Sequence, residues 1–330
     1  MFVTIVIPTL NRARLLEQTL QSLVAQPGIG SPDCEVVVMD NGSTDGTAAV
    51  AEQFQGLIRQ FRYVKDATPG LHTGRNRAWQ ESQGKVIAYL DDDVLLFPTW
   101  LDGVRAAFDD PNVMLAGGPV LPKFNAPPPA WLLELWGTDS QADRLLGELS
   151  IIDLGQRRRV ITANHVFGCN FLVRRKVLEL TRGFHPDAMP KGMLRFRGDG
   201  ESYVSEVIER EGWTTIYEPT AGLQHQVAEE RLTPSYFCRR RYAQGISDSY
   251  AEVRARHGAF RQFRRKCAVL KHLLLSQAKR GPCIHARQFE RSWLRGYVSH
   301  QLWVMSDPAL KRWVRQEDYL GPNGCPPCSI

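Results

Sequence analysis

The stretch KVIAYLDDD, residues 85–93, places an apolar run directly before three consecutive carboxylates. The β-branched and aromatic residues of this run predict a buried strand from Lys85 to Leu90. Three adjacent carboxylates at a strand end repel one another unless a cation or hydrogen-bond donors lie beside them. We therefore expect Asp91, Asp92 and Asp93 to lie at a site for Mn²⁺ or Mg²⁺, with a solvated acidic turn as the alternative.

Toward the N-terminus, short apolar runs alternate with segments of helical period. The runs predict strands over Phe2 to Ile7, ending at Pro8, over Glu35 to Met39 and over Tyr63 to Lys65. Helices are predicted from Arg14 to about Gln26, from Thr47 onward and from Gly74 to Ser82. Strands that alternate with helices indicate an α/β fold, in which a mostly parallel sheet flanked by helices binds ligands at the carboxyl ends of its strands.

Beyond residue 110 this alternation weakens. Four prolines between Pro122 and Pro129 predict a loop or lid, followed by a short helix over Trp131 to Trp136. The later elements are a strand over Phe167 to Val173 and helices over Lys176 to Thr181, Glu201 to Glu211 and from Thr233-Pro234 onward. We expect two regions, an α/β domain over residues 1–225 and a basic helical C-terminal region over residues 226–330.

The composition is that of an ordinary soluble globular protein, with 330 residues of which 43% are hydrophobic and 23% charged. These values exclude collagen-like, coiled-coil and wholly disordered classes. The net charge of +6 is unevenly distributed, because residues 226–330 carry 19 Lys and Arg against 8 Asp and Glu, whereas residues 1–225 carry 22 against 27. Such a basic region suits nucleic acid, anionic lipid or phosphorylated ligands, and equally a solvated helical face.

The cysteines and the apolar runs indicate where in the cell the protein acts and whether it crosses a membrane. Seven scattered cysteines with no signal peptide before them predict reduced thiols in a cytoplasmic protein. The CxxC at residues 325–328 lacks the second pair that a zinc site needs. The best apolar run, Ala268 to Leu275, contains Lys271 and His272 and is too short for a membrane span. We therefore expect any membrane contact to be peripheral, on the inner face.

A fourth carboxylate, Asp40, follows the second predicted strand, which places it on the same sheet edge as the acidic triplet. There it could accept hydrogen bonds from a nucleobase or from ribose hydroxyls, with a turn-capping role as the alternative. Arg75 lies near the start of the helix before the triplet, where a guanidinium could reach a nucleotide or its phosphates. These positions predict a nucleotide site along the edge of the sheet.

Four segments, in this order, resemble the successive motifs of family-2 glycosyltransferases. They are TIVIPTLNR at 4–12, VVMDNGSTDGT at 37–47, PGL and GRN at 69–71 and 74–76, and LDDD at 90–93. The resemblance covers roughly residues 2–225 and weakens after Pro119, although GCN at 168–170 also resembles that family. It implies a GT-A fold, which is Rossmann-like, and an inverting hexosyl transfer that depends on a nucleotide sugar.

The resemblance also implies roles for individual residues. The expected donor-binding residues are Pro8, Thr9, Asn11, Asp40, Arg75, Asp91 and Asp92. The expected metal ligands for Mn²⁺ or Mg²⁺ are Asp93, Asp91 and His225. The implied reaction moves a sugar from a nucleoside-diphosphate sugar to a hydroxyl acceptor in polysaccharide or glycolipid synthesis. Asp40 suits a pyrimidine, which favours UDP without excluding GDP.

Transfer to a hydroxyl also needs a base that removes the acceptor proton. The segment GDGE, residues 198–201, opens a helix that stops at Gly212 and resembles the family's acidic motif. Counting back from Gly212 places Glu201 at the position of the base. Asp199 is the alternative, because Gly200 separates two acids that are adjacent in the family. Glu201 could instead only stabilise the helix N-terminus.

The acceptor side is predicted from weaker features. The candidates are Trp131, Gly168, Cys169 and Asn170. Trp131 could form a sugar platform or pack against the body of the protein. The basic runs Arg239-Arg240-Arg241 and Arg264-Arg265-Lys266 lie among aromatic residues, so these helices could contact an anionic membrane that holds a lipid-linked acceptor, or present a solvated face.

Two other classes of function remain as alternatives. A strand followed by Asp-x-Asp also resembles the start of haloacid-dehalogenase-like phosphatases, in which the first aspartate is the nucleophile. That alternative gives no role to residues 4–12 and 37–47. The basic C-terminal region could bind nucleic acid, which steep salt dependence would indicate, but no nucleic-acid partner is expected.

Overall fold

The structure is a computed structural model that describes residues 2–137, 143–255 and 283–327. Its strands are β1 (Val3–Thr9), β2 (Cys34–Asp40), β3 (Phe61–Lys65), β4 (Val86–Leu90), β5 (Val94–Leu96), β6 (Val113–Gly117), β7 (Val120–Phe124), β8 (Arg144–Leu146), β9 (Ile151–Asp153), β10 (Arg159–Val160), β11 (Asn170–Arg174), β12 (Thr214–Tyr217) and β13 (Leu223–Val227). Its helices are α1 (Ala13–Val24), α2 (Thr47–Phe54), α3 (Leu71–Glu81), α4 (Trp100–Ala107), α5 (Ala130–Trp136), α6 (Arg175–Thr181), α7 (Glu201–Arg210), α8 (Pro234–Arg254), α9 (Ala286–Ser306) and α10 (Pro308–Arg315). Short 3-10 helices include Lys191–Phe196 and Glu229–Leu232.

Eight strands form a central sheet in the order β10-β12-β6-β11-β4-β1-β2-β3. β1 lies between β2 and β4 and is parallel to both, and β3 is parallel to β2. β11 is inserted antiparallel between β4 and β6. The prediction of a mostly parallel sheet flanked by helices is confirmed. The carboxyl ends of β1, β2 and β4 therefore lie along one edge.

The central sheet is covered by apolar cores on both faces. Ile5 and Val36 belong to one core, whereas their neighbours Val6 and Val37 belong to the other. Every residue of β1 and β2 is consequently buried. This two-sided burial explains why these strands are apolar runs without polar alternation, and why they can be recognised in the sequence.

β1 continues beyond its predicted end, through Pro8 to Thr9. Pro8 faces Met39 of β2, whereas the pairing of β1 with β4 stops at Val6 and Tyr89. A proline lacks the N–H group, so it is tolerated where one side of the strand has no ladder partner. The prediction that β1 ends at Pro8 was wrong, and the extension brings Thr9 to the edge that carries the acidic triplet.

A second sheet, in the order β5-β13-β7-β9-β8, is absent from the sequence predictions. β7 includes Pro122, so the loop predicted from that residue begins only after Phe124. β13 is antiparallel to β5 and parallel to β7. Because β5 begins directly after Asp93, this small sheet fixes β13 beside the triplet.

The C-terminal helices pack on one another and on the α/β body. α8 begins as predicted, with the Thr233 side chain accepting a hydrogen bond from the N–H of Tyr236 at 3.3 Å. α8 and α9 cross in close contact at two glycines, where an added Cβ on Gly245 would lie 2.0 Å from the Trp293 carbonyl oxygen. β13 runs to Val227 and so passes the predicted boundary at residue 225.

Within the described ranges, no helix is long and apolar enough to cross a membrane. Three features of the sequence lie outside those ranges, namely the apolar run Ala268 to Leu275, the basic run Arg264-Arg265-Lys266, and Cys328.

Candidate active site

The acidic triplet lies where β4 ends, and the end of β1 lies beside it. Asp92 and Asp93 are buried, whereas the Asp91 side chain is one-third exposed. Thr9 donates from Oγ1 to Asp92 at 2.7 Å. Arg12 donates from Nη1 to Asp92 at 2.7 Å and to Asp93 at 3.0 Å. Neighbouring strand ends thus supply the donors that a buried acidic cluster requires.

His225 reaches the triplet through the second sheet. It lies opposite Val94 in the β5–β13 ladder, and the next residue donates its N–H to the Asp93 carbonyl at 2.9 Å. Its Nδ1 lies 2.9 Å from the Leu149 carbonyl oxygen, which can only accept, so Nδ1 carries the proton. Its Nε2 lies 3.2 Å from Asp93 Oδ1, where it can donate to this oxygen when the ring is protonated and can bind a metal ion when it is not. A hydrogen bond from the other ring nitrogen to a carbonyl oxygen, as here to Leu149, orients histidines that bind metal ions.

The donor set fits a divalent ion. Ligand atoms of Asp91, Asp93 and His225 all lie within 4.8 Å of one another. Asp93 Oδ1 is buried and has no hydrogen-bond donor, which is costly for a carboxylate oxygen unless a cation satisfies it. Two carboxylates and one imidazole suit Mn²⁺, while Mg²⁺ would be bound mainly through the oxygens. The predicted metal ligands are therefore brought together.

Burial and charge separate the pKa values of the three aspartates. Burial raises the pKa of Asp92 to about 6, although Arg12 opposes the shift. Burial and the neighbouring Asp93 raise the pKa of Asp91 above its usual range. Burial would also raise the pKa of Asp93, but His225, Arg231 and Arg12 together hold it well below its usual range. Of the three carboxyl groups, Asp93 therefore has the lowest pKa.

Arg231, on the 3-10 helix Glu229–Leu232, closes the site from the C-terminal side. Its Nη1 lies 3.2 Å from His225 Nε2, and its Nη2 donates to Asp93 Oδ2 at 3.1 Å. These contacts place one guanidinium against two of the three candidate metal ligands. A bound cation would have to displace it or share the ligands with it.

A cavity of about 600 Å³ opens over the triplet. Of the predicted donor and metal residues, its lining includes Pro8, Thr9, Asp91, Asp92 and His225. The guanidinium groups of Arg12, Arg231 and Arg240 line it as well. A cavity of this size with three cations beside an acidic cluster can hold a nucleotide and its phosphates.

A smaller cavity of about 170 Å³ adjoins the first one. Its lining includes the predicted residues Arg75, Asp91, Gly168, Cys169, Asp199 and Glu201. Asp91 and Arg240 line both cavities, so they lie at the junction. The two cavities therefore meet at Asp91, the one-third exposed member of the triplet.

Arg75 is buried and organises the smaller cavity. It contacts three carboxylates, with Nη1 at 3.2 Å from Glu201 and 3.4 Å from Asp187, and Nη2 at 3.7 Å from Asp91. Burial tends to raise the pKa of Glu201, but Arg75, the helix backbone and two further arginines lower it below the usual range. Arg75, which was predicted to bind the donor near its nucleoside, lines the smaller cavity beside Glu201 and is not among the residues that line the larger one.

Asp199 and Glu201 have different surroundings. Asp199 Oδ1 lies 2.7 Å from Nδ1 of the buried His185, whose ring stacks on Tyr203. The Glu201 side chain is 31% exposed. Glu201 is the first residue of α7 and directly follows Gly200. Gly200 has φ +53° and an added Cβ would lie 2.9 Å from Asp187, so only glycine is comfortable there. This geometry favours Glu201 as the accessible carboxylate.

Asp40 and Asn11 are held in a turn. Asp40 Oδ1 accepts from the N–H groups of Gly42 and Ser43 at 3.1 and 2.7 Å, and Oδ2 accepts from the Tyr63 hydroxyl. Asn11 Oδ1 accepts from the Thr44 N–H at 2.8 Å. Both side chains thus shape the loop after β2, which for Asp40 is the turn-capping alternative.

Two acceptor-side predictions fall in packed regions. Trp131 contacts Phe237 at a ring distance of 5.0 Å and also His285 and Phe289. Asn170 is buried, accepts from Trp100 Nε1 at 3.1 Å and donates to the Ala221 carbonyl at 2.8 Å. Trp131 joins α5 to the C-terminal helices, and Asn170 ties β11 to neighbouring loops.

Sequence reasoning missed four side chains of the site, namely Arg12, Asp187, Arg231 and Arg240. Asp187 is buried, burial raises its pKa to about 6, and its Oδ1 lacks a donor. Arg12 ends the motif at residues 4–12 and Arg240 lies in the basic run Arg239-Arg240-Arg241, so the sequence offered a reason to consider both. Asp187 and Arg231 stand alone in the sequence, which offered no such reason for them.

A Rossmann-like sheet with an acidic triplet at its carboxyl edge, facing a carboxylate at a helix start, is the architecture of a GT-A glycosyltransferase, a transferase enzyme. Residues 4–181 match Glycosyl transferase family 2, and the chain belongs to that family. The phosphatase alternative is thereby set aside.

Several proteins of this kind are similar to the chain. Glycosyltransferase AglE of Haloferax volcanii is 32% identical over 120 residues, which span 36% of this chain and 39% of AglE. The glucosyl-dolichyl phosphate glucuronosyltransferase of the same organism is 23% identical over 254 residues, 75% of this chain and 76% of that protein. The solved structure of the mannosyltransferase PcManGT from Pyrobaculum calidifontis, in complex with GDP-Man and Mn²⁺, superposes with a TM-score of 0.58 at 17% identity, over 91% of this chain and 87% of that one. This superposition supports the predicted fold.

Proposed function

We propose that this protein transfers a sugar from a nucleoside-diphosphate sugar to a hydroxyl acceptor, with inversion at the anomeric carbon and dependence on a divalent metal. The observation that carries the proposal is the position of Asp91, which lines both cavities. On one side of it lie Asp93 and His225, and on the other lie Arg75 and Glu201. A diphosphate bound over the triplet would present its sugar at this junction.

The larger cavity is the proposed donor site. Thr9, Arg12 and Arg231 line it close to Asp92 and Asp93, where donor phosphates would gain charge-assisted hydrogen bonds. Asp91, Asp93 and His225 would hold the metal. When bound, the metal supplies positive charge that stabilises the leaving diphosphate. UDP is the proposed donor nucleotide on the resemblance of the sequence alone, because Asp40 is held in the turn after β2 and is not among the residues that line the cavity, and GDP is the main competitor.

The smaller cavity is the proposed acceptor site, with Glu201 as the base. Glu201 removes the acceptor proton as the new C–O bond forms on one face of the sugar and the bond to the diphosphate breaks on the other. Arg75 holds the carboxylate ionised and oriented. Asp187 also lines the smaller cavity, but it is more buried than Glu201 and would act through Arg75. One displacement of this kind inverts the anomeric centre.

The proposed acceptors belong to cell-envelope polysaccharide or glycolipid synthesis, and a lipid-linked acceptor would require peripheral attachment to the inner face of a membrane. The similarity to a glucosyl-dolichyl phosphate glucuronosyltransferase over 75% of this chain supports this class. The α/β domain over residues 1–225 would carry the chemistry, and residues 226–330 would add Arg231 and Arg240 to the donor site.

A ligand-dependent melting experiment tests the donor proposal. Melting temperatures are measured with UDP, GDP, dTDP and CDP, each with Mn²⁺, with Mg²⁺ or with a chelator. A ligand that binds only the native state raises the melting temperature. We expect the largest metal-dependent rise with UDP, its loss in Asp93→Ala and its retention in Asp102→Ala, a control at an exposed aspartate of α4. A flat response to every nucleotide would contradict the proposal.

A further inference from the structure

α9 presents two different faces. The face toward α8 is buried and includes Phe289, Tyr297, His300 and Val304. The opposite side, which we call the outer face of α9, is solvent-exposed and consists of Arg287, Arg291, Arg295, Val298, Leu302 and Met305. These six positions are spaced by three or four residues, so they form one continuous stripe along the helix.

The outer face is basic at its N-terminal half and apolar at its C-terminal half. Val298, Leu302 and Met305 are 43%, 57% and 78% exposed, which places them among the ten large apolar side chains that are exposed in the described residues. Ile284, just before the helix, is 85% exposed. The only acidic residue of α9, Glu290, is half-buried and lies to one side of the stripe. Apolar surface of this kind usually marks a binding site.

We propose that the outer face of α9 is the surface by which this protein docks on an anionic membrane, an inference that rests on the peripheral attachment proposed above. Charge complementarity selects this occupant. Arg287, Arg291 and Arg295 would contact lipid phosphates, while Leu302 and Met305 would enter the boundary with the acyl chains. A nucleic acid would satisfy the arginines but leave the apolar half in water.

The chain's own residues 256–282 are a poor alternative occupant. That sequence contains eight Lys and Arg and no Asp or Glu, so it shares the sign of charge of Arg287, Arg291 and Arg295. Like charges would oppose its docking on the outer face, whereas both would be attracted to the same anionic lipids.

The proposal also relocates the membrane contact predicted from the sequence. The basic run in α8 is engaged within the protein, because Arg240 lines both cavities and Arg241 pairs with Glu148 at 2.7 Å. Phe237 of the same run is buried. The outer face of α9 lies on the side of that helix remote from α8, and its six side chains are exposed to solvent.

Vesicle co-sedimentation in EDTA tests the proposal, since the chelator prevents a metal from bridging carboxylates and lipid phosphates. The full chain is mixed with phosphatidylcholine vesicles containing 30% phosphatidylglycerol or none. We expect binding to the anionic vesicles alone. We expect Val298→Gln/Leu302→Gln/Met305→Gln to lower the partition coefficient at least tenfold, and Arg287→Gln/Arg291→Gln/Arg295→Gln to lower it roughly a hundredfold, at about fivefold per arginine.

The matched control removes equally exposed apolar side chains elsewhere, by Leu57→Gln/Val160→Gln/Leu180→Gln. Equal loss in this control, or full binding by the α9 variants, would overturn the docking surface while leaving membrane attachment intact. If the wild-type chain binds neither vesicle, the attachment proposal fails as well.

A concentration-dependent dimer in sedimentation velocity that the apolar variant abolishes would assign the face to a second copy. The UDP-dependent melting shift of each variant reports separately on the fold and the donor site.

Discussion

Arg75 donates a hydrogen bond from Nη1 to Oε2 of Glu201 across 3.2 Å, joining α3 to the first residue of α7. The same guanidinium donates from Nη2 to the Gly168 carbonyl oxygen at 3.3 Å. One buried cation thus fixes the candidate base relative to the loop before β11. Because the contact favours the ionised carboxylate, it lowers the pKa of Glu201. Glu201 is then a weaker base, but its side chain stays ionised and ready to accept a proton.

Glu201→Gln should abolish turnover without preventing donor binding. The amide keeps the shape of the side chain but cannot accept a proton, so we expect kcat to fall by about 10²- to 10⁴-fold. Asp199→Asn and Asp187→Asn are the comparison variants, since each removes a neighbouring carboxylate that is more buried. Turnover measured with saturating donor and metal decides between them. If Asp199→Asn were the inactive variant and Glu201→Gln remained active, the base would be Asp199.

Gly168→Ala should disturb the base without touching it chemically. An added Cβ would lie 2.5 Å from Arg75 Nη2 and 2.9 Å from Glu201 Oε1, so the ends of these side chains must shift. We expect kcat to fall by about a hundredfold, because misplacement by about an ångström costs that much, and the melting temperature to drop slightly. Gly192→Ala is the control, since nothing lies within 4 Å of its added Cβ. Equal turnover in both variants would contradict a role for the Arg75–Glu201 contact.

The sequence predicted the central sheet because its strands carry their own signal. β1, β2 and β4 are buried at every position, so each is mostly apolar and is followed by polar residues. The second sheet gives no such signal, because β13 reads LQHQV and β7 reads VLPKF. These strands exist through pairing between segments about one hundred residues apart, which local propensity does not encode.

Site residues could be predicted only where they are adjacent in the sequence or have a recognisable spacing. Asp91, Asp92 and Asp93 are adjacent, and Glu201 has a fixed spacing to the glycine that ends its helix. Asp187 and Arg231 enter the site through contacts with Arg75 and Asp93 respectively, across more than one hundred residues. Neither has a local pattern.

His300 should make folding stability sensitive to acid. It is buried between α8 and α9, next to Ser249, and burial lowers its pKa to about 4. The unfolded chain binds the proton from about pH 6.5 downward and the native state only near pH 4, so stability is lost as the pH falls through this window. His300→Gln removes the effect, so the free energy of unfolding of the wild type relative to the variant should fall by about 3 kcal/mol between pH 7.5 and pH 4.

Urea unfolding at several pH values measures this difference. His165→Gln is the control, because that histidine is exposed and solvated in both states. If the difference in free energy of unfolding between the wild type and His300→Gln stayed constant across the pH range, His300 would bind its proton equally well in the native and the unfolded state, and the prediction would be wrong.

Arg231 should compete with the metal. Its guanidinium lies 3.2 Å from His225 Nε2 and 3.1 Å from Asp93 Oδ2, so it occupies the lone pair and one carboxylate oxygen that an ion would use. Removing a positive charge at this distance in a half-buried site should raise the affinity for Mn²⁺ alone by about tenfold or more. Arg231→Gln should at the same time weaken the binding of UDP, since Arg231 lines the donor cavity.

Mn²⁺ binding is measured from the electron paramagnetic resonance signal of the free ion, with Arg239→Gln on the exposed side of α8 as the control. Opposite changes in Mn²⁺ and UDP affinity would mean that Arg231 holds the metal ligands together until donor phosphates draw it away. Weaker Mn²⁺ binding in Arg231→Gln would instead make Arg231 a support of the metal site.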